Sequence, residues 1–222
     1  MAYLSMTLSK ITLFSTAIGL LFTPHSALAF GNVSKHPVQS FVSSHTFVVA
    51  HNGQEAEQFV DKLAKDAIGF LGNGDLSDAE KQKRFAKLLN KGFDMDTISR
   101  FALGRYWKTA SKQQRSEYQK LFRSMVIDVY SRRFSEYNGQ RLEVRSSRKD
   151  SDKDYTVQSY IVSDSGSDVQ VDWRVRYKNG QYKVIDVLVA GVSMALTQRS
   201  DFASVIQRGG GEISVLIDHL QQ

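Results

Sequence analysis

One carboxylate, Asp186, stands inside an otherwise apolar run from Lys183 to Ala195. A carboxylate in such surroundings is either poised for proton transfer or fixed by a cation or several donors, because an unpaired buried charge is costly. Arg105 is the candidate partner, giving an expected Arg105–Asp186 ion pair. Tyr106 and Trp107 in Leu103-Gly-Arg-Tyr-Trp-Lys-Thr-Ala-Ser111 add aromatic surface with polar ends, suited to anchoring a core or lining a cavity mouth. Other chemistry is scarce. The histidines stand at 25, 36, 45, 51 and 219 and there is no cysteine, so nothing between Asn52 and Asp218 offers an imidazole or a thiol. Ser/His/Asp triads, cysteine nucleophiles and the usual zinc clusters are thereby excluded from the body of the fold. His36, His45 and His51 are too widely spaced in a polar stretch to read as a metal site. The expectation is no catalytic group, no metal and no cofactor.

The remaining charged and glycine-rich features read as structure. Asp172 belongs to the polar row of its strand and Asp186 to an apolar one, so the two are expected to face opposite ways rather than to form an acid–base pair. Gly209–Gly211 lacks the lysine and spacing of a phosphate loop and reads as a hinge. Arg141, Arg145, Arg148 and Lys149 make a solvated strand face. No nucleic-acid partner is expected.

The elements that must position these residues follow from periodicity. Phe59, Val60, Leu63, Ala64, Ala67, Ile68 and Leu71 form one helical stripe beginning at Gln54 and stopped by Gly72 and Gly74. Ser77 with Glu80 is a capping box that opens a second helix. Asp94 caps a short third, closed by Gly104. Ser111 with Gln114 starts the longest, predicted to run about seven turns to Tyr137 with the stripe Tyr118, Phe122, Met125, Val126, Val129, Tyr130, Phe134 and Tyr137. From Gly139 the period becomes two. Leu142–Ser147, Tyr155–Val162 and Val169–Tyr177 are strands, with Asp164-Ser-Gly-Ser167 as one turn and Asn179-Gly180 as a two-residue hairpin turn. The apolar run is the fourth strand, buried on both faces, with Gly191 as a bulge that bends it before Val192, Met194 and Leu196 alternate again. Helices Asp201–Arg208 and Glu212–Leu220 close the chain. This is an α+β pattern: helices packed on a curved four-stranded antiparallel sheet, with C-terminal helices.

The N-terminus has a different character. Lys10, the apolar run Ile11–Phe22 and Ala27-Leu28-Ala29 fit a secretory signal over residues 1–29, with an uncleaved anchor as the alternative. Cleavage leaves 193 residues carrying 28 basic and 23 acidic groups, a mild surplus usual for surface charge. Residues 30–53 read as a flexible leader, and 54–222 as a single domain. An exported chain without cysteine is held by its core alone.

Two separated stretches carry a likeness to a known family. Phe93-Asp-Met-Asp-Thr-Ile-Ser-Arg-Phe-Ala-Leu-Gly-Arg-Tyr-Trp-Lys-Thr-Ala-Ser111 with Gln114-Arg115, and Asp186-Val-Leu-Val-Ala-Gly-Val-Ser-Met194 with Arg199-Ser-Asp-Phe202, resemble the signatures of the MlaC or toluene-tolerance family of periplasmic lipid-binding proteins. The likeness covers roughly Glu55–Leu220. It implies a strongly curved sheet roofed by helices, an NTF2-like cone with a helical extension, and acyl chains buried between the layers. The implied partners are a membrane lipid, phospholipid or hopanoid, an inner-membrane ABC transporter complex bearing an MCE-domain ring, and an outer-membrane lipoprotein. Carried onto matching positions, Leu103, Tyr106, Trp107, Val189, Gly191, Val192, Met194 and Phe202 would lie at or near the pocket. Phe122, Met125, Val126, Val129 and Tyr130 join them as candidates from the long helix stripe. The rival reading is an enzyme on a similar cone, with Asp186 and Tyr106 moving protons on a hydrophobic substrate. It requires Asp186 to face an empty cavity.

Overall fold

The computed structural model describes residues 52–163 and 166–222. The proposed signal 1–29, nearly all of the leader and the centre of the Asp164–Ser167 turn lie outside the described residues. Helix α1 spans Gly53–Leu71 and is capped by Asn52, whose side chain accepts from the Glu55 amide at 3.0 Å. The leader therefore gives way to helix at Gly53, one residue before Gln54. Helix α2 (Asp78–Gly92) has the full Ser77/Glu80 capping box. Helix α3 (Met95–Leu103) is capped by Asp94 and ends at Gly104, whose φ of 60° is costly for any residue with a Cβ. A single turn, α4 (Tyr106–Thr109), leads to α5 (Lys112–Ser131), which opens on the Ser111/Gln114 capping box. The α5 helix is shorter than its apolar stripe suggests. It stops at Ser131, and Phe134–Glu136 form a separate 3-10 turn.

Five antiparallel strands follow in simple meander order: β1 (Arg141–Lys149), β2 (Asp154–Val162), β3 (Val169–Lys178), β4 (Gln181–Val189) and the two-residue β5 (Val192–Ser193). The α+β class holds, with one strand more than expected. The extra strand arises because Ala190 (φ 49°) and Gly191 (φ 79°) form a two-residue turn with both central φ angles positive, the twist that suits a hairpin. Val192 thus pairs back onto Val189. This is a reversal and not the bend expected at Gly191. Met194 and Leu196 are correspondingly helical, in α6 (Met194–Arg208), and the chain ends in α7 (Ile213–Leu220).

The bulge lies elsewhere in β4. Arg174 pairs with Asp186 but Val175 pairs with Val184, leaving Ile185 as an extra residue. One inserted residue turns every side chain after it to the opposite face. Asp186 therefore points to the same face as Arg174 and Asp172, not with Val184, and the expectation that the two carboxylates face opposite ways is corrected.

Two buried clusters result. One is sheet and α1: Ala56 and Val60 against Tyr155, Val157 and Val175. The other is helical: Leu103, Tyr118, Phe122, Phe202, Ile206 and Leu216, drawn from α3, α5, α6 and α7. The Phe93 and Trp173 rings, 6.5 Å apart, bridge them.

Candidate functional site

Asp186 is 8% exposed, and its oxygens are satisfied locally. One oxygen accepts from the Val187 amide at 2.9 Å and the Ala195 amide at 3.1 Å; the other accepts from the Ser193 hydroxyl at 2.7 Å. Ser193 in turn caps α6 through the Leu196 amide. The carboxylate thus ties β4 to the start of α6, where a negative charge suits the free N–H groups and the helix dipole. Arg105 is not its partner. The Arg105 guanidinium stacks 4.9 Å from the centre of the Tyr106 ring and donates to the Tyr106 hydroxyl at 2.9 Å. The expected ion pair is replaced because three local donors already meet the charge.

The Gly104–Ser111 turn is built from stacked cations. The Trp107 ring has the Arg100 and Arg115 guanidinium carbons at 5.8 and 5.3 Å, and Arg115 also donates to the Lys108 carbonyl at 3.2 Å. Tyr106 and Trp107 are half-buried and back onto the helical core.

The expected lining residues divide into two groups. Leu103, Phe122 and Phe202 are sealed in the helical core at 2–3% exposure. There the Phe202 ring meets Tyr118 and Phe122 edge-on, and the Tyr118 hydroxyl donates to the Ser99 carbonyl at 2.9 Å. Burial pushes the Tyr118 hydroxyl far above the usual phenol range. Met125 and Val126 pack on that core while remaining half-buried. Val129, Tyr130, Val189, Val192 and Met194 belong to neither cluster. Val192 is 53% exposed and Gly191 is exposed at the hairpin tip. Tyr130 is accessible at 38%, yet loss of water raises its hydroxyl pKa, with Arg133 opposing.

Aromatic rings from three further elements join this region. The Phe85 ring lies 6.4 Å from Tyr130 and 5.4 Å from Phe134, and Phe134 lies 6.2 Å from Phe70. Phe85 and Phe134 lie on apolar stripes legible in the sequence whereas Phe70 is not on the stripe read for α1, and the convergence of the three depends on how α1, α2 and the 3-10 turn pack.

Two surface recesses have a different character. One of about 470 Å³ includes Asp94, Asp96, Arg123, Arg176, Lys178 and Lys183 in its wall. The other, of about 610 Å³, has Arg100, Arg105, Lys108, Arg176 and Arg199 with Phe101 and Trp107. Neither is the apolar hollow that the resemblance implies. Among the described residues no three His, Cys, Asp or Glu side chains gather as a metal site requires.

Comparison with known proteins places this arrangement. The chain is similar to the toluene tolerance protein ttg2D of Pseudomonas putida, 26% identical over 133 residues, covering 60% of this chain and 62% of that protein. It is similar to the intermembrane phospholipid transport system binding protein MlaC of Haemophilus influenzae, 27% identical over 124 residues, covering 54% and 57%. The matches thus span about three fifths of these relatives. A solved phospholipid-binding protein from Ralstonia solanacearum, in complex with a phospholipid, superposes with a TM-score of 0.65 at 25% identity, covering 75% of this chain and 94% of that one. The MlaC protein family model matches residues 61–222, and the chain belongs to that family.

Proposed function

We propose that this protein is a lipid carrier that shields the acyl chains of a membrane lipid in an apolar pocket and moves them through the periplasm between inner and outer membranes. The observation that carries this reading is the structural match to a phospholipid-complexed protein along 94% of that chain. The half-accessible apolar side chains outside the two cores, Val129, Tyr130 and Val189 among them, supply surface for hydrocarbon. Shielding matters because two tails of about sixteen carbons each represent roughly 25 kcal/mol of hydrophobic transfer. A free lipid does not cross water usefully against that. A pocket that stands in for the bilayer cancels most of it, so loading and release can be set by docking partners: an ABC transporter with an MCE-domain ring on one side, an outer-membrane lipoprotein on the other. The cargo is a glycerophospholipid or a hopanoid.

The rival, proton-transfer chemistry at Asp186 and Tyr106, needs a base with a free oxygen facing a cavity. Asp186 is instead held by three donors, and the Tyr106 hydroxyl accepts from Arg105. The carrier reading is tested by solvent extraction and mass spectrometry of natively purified protein. Lipid at about one molecule per chain is the expected result; protein that is repeatedly clean, and that takes up no lipid from vesicles, would count decisively against it.

A further inference from the structure

We propose that the cationic recess between α3, α4 and α6 is a docking site for an acidic segment of a partner protein. The proposal does not rest on the carrier reading, since it concerns a different ligand chemistry. Five cations and no carboxylate enter the recess wall. Arg176 is already held by Asp154 at 2.7 and 2.9 Å, which leaves Arg100, Arg105, Lys108 and Arg199. Among the described residues none of these four has a carboxylate within ion-pair distance. Cations elsewhere on the surface do pair, as Lys62 with Asp66 and Arg148 with Asp150. Concentrating like charge without counter-charge is unfavourable in the free protein and is relieved when an anion docks.

The geometry favours carboxylates. Arg100 stacks by Trp107, Arg105 by Tyr106 at 4.9 Å, and Arg199 by Phe101 at 5.3 Å. A guanidinium held by a ring loses less freedom on binding a carboxylate, and among the described residues those of Arg100 and Arg199 have no hydrogen bond to a carboxylate of their own, while Arg105 already donates one N–H to the Tyr106 hydroxyl. Gly104 contributes by having no side chain, for a Cβ there would come within 2.8 Å of the Arg199 Nε. Arginine with aromatic rings is also the composition of protein–protein hot spots. An anionic bilayer is the less suitable occupant. The site is concave, arginine outnumbers lysine, and Trp107 lies half-buried among guanidiniums where an interfacial anchor would project.

The test uses the full chain and a fluorescein-labelled twelve-residue peptide of alternating Asp and Glu, followed by anisotropy, with phosphatidylglycerol vesicles in a parallel flotation arm. The peptide should bind, less tightly as salt rises, and the pair Arg100→Glu with Arg199→Glu should weaken it at least tenfold. The pair Lys83→Glu with Arg84→Glu, an equal charge change on exposed positions of α2, should alter binding less than twofold. If the first pair proves unstable, Arg105→Gln with Lys108→Gln should still give at least a threefold loss. Equal weakening by the recess and α2 variants would reduce the effect to net charge and overturn the proposal. So would vesicle binding that depends on Arg100 and Arg199 while the peptide fails to bind. Because the peptide arm measures no lipid, its failure is distinct from failure of the carrier reading.

Discussion

Asp186 shows how far a residue's role depends on its register. Its burial and its need for several donors follow from an isolated charge in an apolar run, but the donors come from Ser193 and Ala195 across a reversal that the run does not announce. Replacing it with alanine strands two amides and a hydroxyl in a nearly dry site, a loss of about 3 kcal/mol. Asn should cost less, because one carbonyl oxygen still accepts. Urea unfolding measures both, and an alanine variant as stable as the parent would show that the carboxylate does not hold α6 to β4. Asp154 gives a pH-dependent counterpart. Its hydrogen bonds from Arg176 hold its pKa below the ordinary carboxylate value, against the opposing effect of desolvation. A depressed folded pKa means stability that is fully present above the unfolded value, near 3.9, and is lost as pH falls through the folded one. Both partners are partly exposed, at 25% and 37%, so the effect is modest, of order 1 kcal/mol or less. Asp154→Asn should lower stability at pH 7, with the difference shrinking as pH falls below the unfolded carboxylate value, read as parent and variant melting curves that converge on acidification.

At the scale of elements, what was legible was what local chemistry alone decides. The three caps at Ser77, Asp94 and Ser111 are in place because each side chain satisfies free amides within its own turn. The Ala190–Gly191 reversal was not, because alanine is a poor marker for a turn whose first position has positive φ. The alternating pattern of Val192, Met194 and Leu196 then read equally well as strand. Two short-range signals, Ser193 as a helix cap and Gly191 as the second turn residue, would have separated the alternatives. The strain at Ala190 yields a prediction. Asparagine tolerates the left-handed region better than alanine, so Ala190→Asn should raise stability by about 0.5–1 kcal/mol, seen as a shifted thermal midpoint. Gly191→Val, forced into φ of 79°, should lower it by more than 1 kcal/mol.

For the whole molecule, sequence periodicity could not say which part of the α5 stripe is core and which part is free, since every residue on the stripe looks equally apolar. Packing decides it. Phe122 is sealed by Tyr118 and Phe202, whereas Val129, two turns later, belongs to neither buried cluster and remains half-buried. One helix therefore carries a test of both statements. Phe122→Ala removes a packed ring from a closed site and should cost about 3–4 kcal/mol in urea unfolding, with bound lipid lost only as far as the fold is lost. Val129→Trp adds bulk where neither core closes, so folding stability should change by less than about 1 kcal/mol, while co-purified lipid falls at least fivefold. Bound lipid also stabilises the native state by mass action, so the parent should lose thermal stability on delipidation and the Val129→Trp protein should not. A Val129→Trp variant that retains its lipid and its lipid-dependent melting shift would place the hydrocarbon elsewhere than beside the end of α5.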